Sequence, residues 1–283
     1  MDQTSADGGV HGDHADWKPA PVLSIVIPVF NELSTIGRIL VEVAKALPEV
    51  PKQIVIVDDR SSDGTSDWLR KNLGQSGGSW RRLRLNGCGE LELTADGPQN
   101  VADISFTVLF HERNRGKGAA VRTGLARVSG DVVVIQDADL EYDPNDWSHM
   151  LPLIVERKVA DVVYGSRFYG RPHRSLYFHH YLGNRLISFL FNLLYDQMLS
   201  DIEVCYKMFT KEVLQELKLT SEGFGFEIEI TAQIARARRW RIYEVGISYY
   251  GRTYDEGKKI NWRDGLKALV YLIKFRIRSA PNV

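Results

Sequence analysis

Two carboxylates two residues apart, Asp137 and Asp139, follow the uncharged run Val132-Val133-Val134-Ile135. Carboxylates so spaced can converge on one hard cation, leaving its other positions to substrate phosphates and water. Mg²⁺ or Mn²⁺ held this way neutralises a departing diphosphate. Glu141, two residues further on, is a third possible oxygen ligand. Other apolar runs also end in polar residues: Asn31-Glu32, Asp58-Asp59, Asn114 with Arg115-Gly116-Lys117-Gly118, and Ser166-Arg167. Singly, each has a structural reading. Asp63-Gly64-Thr65 could start a helix, Asp139 could cap one, and the Gly116 loop could be a plain turn. Gathered on one edge of a sheet, they describe a site for a phosphorylated ligand. The loop is not a P-loop, because Gly118 stands where a Ser or Thr would follow the lysine. No GxGxxG follows the first apolar run, which argues against a nicotinamide cofactor.

The elements that must position these residues alternate in type. Leu23–Phe30, Gln53–Val57, Ser105–Phe110, Asp131–Gln136 and Ala160–Gly165 read as strands buried on both faces. Glu32–Leu47, Asp63–Leu73, Lys117–Val128 and Pro144–Arg157 carry helical spacing between them. The pattern predicts an α/β fold, a mostly parallel sheet with helices on both faces and its ligand beyond the carboxyl ends of the strands. One connection, 74–104, is long for such a fold. Within it Leu83 and Leu85 alternate with arginines, and Leu91 and Leu93 with glutamates, predicting an inserted hairpin with Arg84 opposite Glu92. Residues 1–20, nearly devoid of apolar side chains, read as a disordered tail.

Composition narrows the class. The chain has 283 residues, 44% of them hydrophobic and 25% charged, which suits a globular domain with a large core. Two cysteines make no disulfide scaffold and point to a reducing compartment. No uninterrupted apolar stretch is long enough to span a bilayer, and no secretory leader is evident, so a cytoplasmic protein, peripheral at the membrane face, is expected. The 36 basic and 36 acidic side chains balance, but from Ile234 onward twelve basic residues face four acidic ones. A local anionic partner, a phosphate or an acidic membrane, fits that surplus better than nucleic acid does.

Pro28-Val29-Phe30-Asn31-Glu32, the stretch Val57–Thr65, Asn114–Gly118, Asp137-Ala138-Asp139 and Gly165-Ser166-Arg167 resemble, in order, the motifs of family-2 glycosyltransferases with the GT-A fold. More narrowly, residues 23–260 resemble the dolichyl- or polyprenyl-phosphate mannose and glucose synthases. The resemblance implies a UDP- or GDP-hexose donor, a lipid phosphate acceptor and a Mg²⁺ or Mn²⁺ cofactor. Pro28, Phe30, Glu32 and Asp59 would then line the nucleoside pocket, with Lys117 near the donor. Asp137 and Asp139 would hold metal and diphosphate, and Glu141 stands where these synthases often carry Gln. Arg167 and Arg185 match arginines that meet phosphate, and with Asp139 they are the expected catalytic residues. Asp201, Arg252 and Lys259 match acceptor-side motifs. Two departures stand out: Ile202–Lys207 replaces a Gly-rich segment, and the 74–104 ribbon is inserted.

A polyprenyl phosphate is already an anionic nucleophile, so it needs a cationic cradle rather than a general base. In-line attack would invert the anomeric carbon. Taken as a helix, Trp262–Arg278 sets Arg263, Lys267, Lys274 and Arg278 beside Trp262, Leu266, Leu269, Val270, Ile273 and Ile277, as in a helix lying in an anionic interface. Docking on the chain's own domain is the plain alternative. Leu182–Leu199 is a second candidate for the interface, or a core or dimer helix. Transfer to a soluble or polymeric acceptor is the alternative activity. A sugar-phosphate nucleotidyltransferase would show a Gly-rich, Arg-containing signature after the first strand, where this chain has Pro28–Glu32.

Overall fold

A computed structural model describes residues 21–74, 82–85, 91–94, 104–170, 172–175, 177–223, 225–253, 255–256 and 262–277. The expected tail (1–20), the tip of the inserted ribbon, Lys259 and Arg278 lie outside the described residues. Seven strands form the main sheet: β1 (Leu23–Val29), β2 (Lys52–Asp58), β5 (Ile104–Phe110), β6 (Val132–Ile135), β7 (Val162–Ser166), β8 (Lys207–Thr210) and β9 (Ile242–Gly246). Their spatial order is β5-β2-β1-β6-β8-β7-β9. All pairs are parallel except those made by β8, which runs against β6 and β7. Every residue of β1, β6 and β7 is buried, as strands covered on both faces require.

Helices α1 (Ile36–Lys45), α2 (Thr65–Leu73), α3 (Lys117–Leu125), α4 (Trp147–Val155), α5 (Phe178–Tyr195), α6 (Lys211–Glu216), α7 (Gly225–Ala237) and α8 (Trp262–Ile277) cover the sheet. Helix α1 buries Ile36, Ile39, Leu40 and Val43, the predicted 3–4 spacing. It starts later than Glu32 because the chain first turns through Asn31, whose φ is +54°. Between β2 and β5, strands β3 (Arg82–Leu85) and β4 (Leu91–Thr94) pair antiparallel, with Leu83 opposite Leu93 and Arg84 opposite Glu92.

The chain from β1 runs outward through β2 to β5, then returns to lay β6 on the other side of β1. At that reversal the ends of β1 and β6 diverge and open a crevice. Pro28 sits at its rim. Val26 O accepts from Gln136 N, so this parity of β1 faces β6, yet β6 pairs no further than Val26. The proline therefore deprives no ladder of a donor.

Candidate active site

The crevice between β1 and β6 is filled by charge. Arg252, beyond β9, donates from its guanidinium to Glu32 Oε1 and Oε2 (both 3.3 Å), Asp139 Oδ2 (3.0 Å) and Glu141 Oε1 (3.3 Å). Its backbone N–H also donates to Glu141 Oε1 at 2.9 Å, and the Tyr249 hydroxyl donates to Oε2 at 2.8 Å. One cation thus draws together three carboxylates contributed by β1, the β6 end and the turn after it. Burial, then repulsion from Asp137 and Glu141, pushes the Asp139 carboxyl up to about 7 against the pull of Arg252.

Asp137 takes a different partner. Its two oxygens lie 2.8 and 2.9 Å from Lys117 Nζ, at the first residue of α3. Lys117 also reaches Glu227 of α7 at 3.4 Å, and Glu227 accepts from the buried Lys207 at 2.6 Å. Burial opposes the Lys117 charge, but Asp137 and its other neighbours hold its pKa well above the ordinary value. Among the described residues no three acidic or imidazole groups are gathered closely enough to be a metal cage. Of the expected trio, Asp137 pairs with Lys117 while Asp139 and Glu141 pair with Arg252, with Asp137 still near enough to repel Asp139. The carboxylates of Asp139 and Glu141, gathered on Arg252, are nevertheless the hard-oxygen donors that suit Mg²⁺ or Mn²⁺.

Asp59, expected in the nucleoside pocket, is 2% exposed and spent on the loop before α3. It accepts from Arg115 N (2.9 Å) and Gly116 N (2.7 Å), and Oδ1 lies 2.7 Å from His111 Nδ1. His111 is a residue the sequence reading missed; its ring bridges Asp59 to Thr123 on α3 (2.9 Å). Gly116 has φ +90°, and a Cβ there would lie 2.6 Å from Glu222 O, so the loop can hold Lys117 in place only with glycine. Phe30, at the crevice mouth, is 37% exposed.

On the other side of the crevice, Arg167 follows β7. Its Nε and Nη2 form a fork with Asp201 (2.6 and 2.7 Å), and Nη2 reaches Asn184 at 3.3 Å. Asp201 is fully buried and is a positioning residue for Arg167 rather than an exposed ligand. Arg185, about two turns into α5 and exposed, lies over the Phe168 ring (6.0 Å) and makes a long contact with Ser200 O (3.4 Å). Its guanidinium is exposed, and Arg167 lies over the same ring (5.8 Å). The neighbourhood of Asp201 is fixed by Glu244 of β9, which accepts from the N–H groups of Ser200 (2.9 Å) and Asp201 (3.1 Å). Glu244, Tyr249 and Lys207 are further supports that no motif marked. Their signal was a polar side chain inside an otherwise apolar run.

The family model of glycosyl transferase family 2 matches residues 24–86 and 94–218. The chain belongs to that family. Dodecaprenyl-phosphate galacturonate synthase of Rhizobium johnstonii is 24% identical over 83% of this chain, which spans 61% of that protein. Undecaprenyl-phosphate mannosyltransferase of Micrococcus luteus is 28% identical over 82% of this chain and 85% of its own length. The fold matches the crystal structure of glucosyl-3-phosphoglycerate synthase from Mycobacterium tuberculosis in complex with Mn²⁺, UDP and glucosyl-3-phosphoglycerate. The TM-score is 0.63 at 17% identity, over 93% of this chain and 82% of the other. The same synthase has also been crystallised with Mg²⁺ and UDP. The architecture of this family-2 chain is therefore the GT-A sheet.

Proposed function

We propose that this protein is an inverting, divalent-metal-dependent hexosyltransferase that moves a hexose from a nucleoside-diphosphate sugar to a polyprenyl phosphate at a membrane surface. The observation that carries the reading is the pair of arginines across the crevice from the acidic donor side. Arg167 is locked in orientation by Asp201, and Arg185 stands exposed beside it. The Arg167 fork is spent on Asp201, so this arginine offers a phosphate its charge and remaining N–H groups, beside the exposed guanidinium of Arg185. Two relatives are named for dodecaprenyl and undecaprenyl phosphate, which supports a lipid phosphate on these arginines.

The donor would lie over the ends of β1 and β6, its nucleoside toward Pro28, Phe30 and Glu32. Asp139 and Glu141 are the residues that would hold Mg²⁺ or Mn²⁺, which when bound neutralises the departing nucleoside diphosphate. Lys117, steadied by Asp137 and Glu227, adds positive charge on the donor side. An acceptor phosphate oxygen attacks the anomeric carbon as the bond to the donor β-phosphate breaks, and the electron pair leaves with the nucleoside diphosphate. Arg167 and Arg185 hold the attacking phosphate in line.

The membrane part of the reading rests on α5 and α8, which pack on one another. Helix α8 docks through Ala268, Leu272 and Phe275 and leaves Leu266, Val270, Ile273 and Ile277 exposed. At 100° per residue the exposed stripe lies about 160° from the buried seam. Docking and interfacial exposure thus hold together, on opposite faces of one helix. Lys267 and Lys274 are exposed on one flank of the stripe and Arg276 on the other. Helix α5 adds Phe178, Leu182, Leu186, Phe189 and Leu193, all exposed. Cations flanking an apolar face suit an anionic bilayer surface. Among the described residues, no helix is long and apolar enough to cross a membrane.

Sedimentation with vesicles carrying anionic lipid and polyprenyl phosphate tests both parts. Binding should weaken between low and high salt, since each cation near such a surface contributes ~1 kcal/mol. Changing Leu266, Val270 and Ile273 to serine should release the protein with little change in melting temperature. Radiolabelled UDP- and GDP-hexoses should then label the lipid only in the presence of Mg²⁺ or Mn²⁺. Label transferred only to water-soluble acceptors would overturn the proposed acceptor.

A further inference from the structure

Every carboxylate oxygen of Asp139 and Glu141 already accepts a hydrogen bond. Asp139 Oδ1 accepts from the Glu141 backbone N–H at 3.1 Å, and Oδ2 from Arg252 Nη2 at 3.0 Å. Glu141 Oε1 accepts twice from Arg252, from its backbone N–H (2.9 Å) and from Nε (3.3 Å), and Oε2 accepts from the Tyr249 hydroxyl (2.8 Å). These contacts are not equally easy to give up. The Glu141 N–H belongs to the tight turn at Leu140, whose φ is +63°. The main chain on either side of Arg252 is held: Tyr249 N donates to Pro172 O, Tyr250 N to Glu141 O, and Thr253 N to Glu256 Oε2. What can leave is the guanidinium, which ends a flexible stem and is 21% exposed.

Glu32 is the third carboxylate on that guanidinium. Its two oxygens face Nη1 and Nη2 (both 3.3 Å) in a parallel fork, and Thr35 Oγ1 pins the same carboxylate at 3.0 Å. We propose that Arg252 is the built-in counter-cation of the metal carboxylates: it competes with Mg²⁺ or Mn²⁺ for Asp139 and Glu141, and the ion binds by displacing the guanidinium, which Glu32 retains in the cleft. This rests on the divalent-metal reading. A guanidinium and a dication cannot share the same oxygens of a partly buried site, because like charges in contact there repel strongly. Arg252 therefore lowers the affinity for the ion, while keeping the carboxylates gathered and balanced in its absence. Removing it exposes Glu32, Asp139 and Glu141 to one another's charge, and a dication relieves that repulsion. Asp137 stands outside the exchange, paired with Lys117.

The probe is Mn²⁺ alone, its free concentration followed by electron paramagnetic resonance, with wild type, Arg252→Met and Arg252→Lys. Arg252→Met keeps most of the stem and drops the charge, and it should hold Mn²⁺ at least about tenfold more tightly than wild type. Arg252→Lys keeps a point charge that cannot fork to Glu32 while spanning the other two carboxylates, so its affinity should fall between. Without added metal, Arg252→Met should melt below wild type, and Mn²⁺ should raise its melting temperature by more. A residue that merely clamps the site together would do the reverse, since scattered carboxylates hold the ion less well. Equal or weaker Mn²⁺ binding by folded Arg252→Met would overturn the proposal. Wild type gives a second readout. Mg²⁺ should move the Arg252 Nε–H resonance, assigned by its loss in Arg252→Lys, upfield as the bond to Glu141 is released. A resonance unmoved at saturating Mg²⁺ would overturn the proposal as well. If neither wild type nor either variant holds Mn²⁺, it is the divalent-metal reading itself that fails.

Discussion

Asp139→Asn should lower kcat by about three orders of magnitude, measured with saturating donor and Mn²⁺, and should leave the melting temperature of the metal-free protein unchanged or slightly raised. The two halves of this expectation have one cause. Asp139 is crowded by Asp137 and Glu141, and its carboxyl is pushed up to about 7, first by burial and then by those neighbours. A carboxyl with a raised pKa opposes folding in its charged form, and that cost is present above its folded pKa and fades as pH falls below it. The isosteric amide removes the cost at pH 8, while Arg252 keeps its ion pairs with Glu32 and Glu141. In the loaded enzyme the same charge balances a divalent cation and a diphosphate, where its loss removes several kcal/mol of stabilisation. About 4 kcal/mol corresponds to a thousandfold in rate. Mn²⁺ binding followed by electron paramagnetic resonance supplies an activity-independent readout, and the variant should hold the ion at least tenfold more weakly. Retention of more than a tenth of wild-type kcat, or full wild-type turnover in EDTA, would rule out the metal-dependent reading.

The same residue shows how far the sequence could be read. Uncharged β-branched runs such as Ile25–Ile27 and Val132–Ile135 state their own burial, so five of the seven strands of the sheet follow from local pattern alone. The inserted hairpin was legible down to register, because only the observed pairing puts Leu83 opposite Leu93. Which carboxylate meets which cation was not legible. Arg252 and Glu32 are 220 residues apart, and Lys117 and Glu227 are joined only when α7 is laid under α3. That Asp137 pairs with Lys117 and Asp139 with Arg252 is a product of that long-range packing. Strand β8 was missed for a related reason. Its four residues, Lys207–Thr210, begin with a lysine that is fully buried against Glu227, and no periodicity announces such a strand. In α8 the periodicity marked the outward apolar face, but not the seam on the opposite side that packs against α5 and α7. Ala268, Leu272 and Phe275 went inward, and Leu266, Val270, Ile273 and Ile277 stayed out.

Arg167→Ala should be the most damaging change on the acceptor side, and its damage should separate into two parts. Asp201 is fully exposed to the consequence, since it is 0% solvent-accessible and its carboxylate receives both Nε and Nη2 of Arg167. Removing the guanidinium leaves a buried, uncompensated charge, which typically costs 3–5 kcal/mol. In a chain of this size that corresponds to a fall of about 10 °C in melting temperature. The Ser200 and Asp201 backbone, clamped by Glu244, cannot move to carry the charge into solvent. Adding Asp201→Ala to Arg167→Ala should therefore recover most of the lost stability, because the double change removes both charges of the pair. It should recover no activity. The acceptor phosphate would still lack the Arg167 guanidinium charge, a loss of about a hundredfold or more in kcat/KM for the acceptor, while nucleotide affinity measured by calorimetry stays within threefold of wild type. Asp201→Asn alone separates positioning from contact, because it leaves Arg167 present but free to rotate. Its acceptor KM should rise about tenfold, less than for Arg167→Ala, and should not be restored by saturating donor. If Arg167→Ala abolishes nucleotide binding and leaves the acceptor KM untouched, Arg167 belongs to the donor diphosphate, and the acceptor phosphate must be held by Arg185 and Arg252 instead.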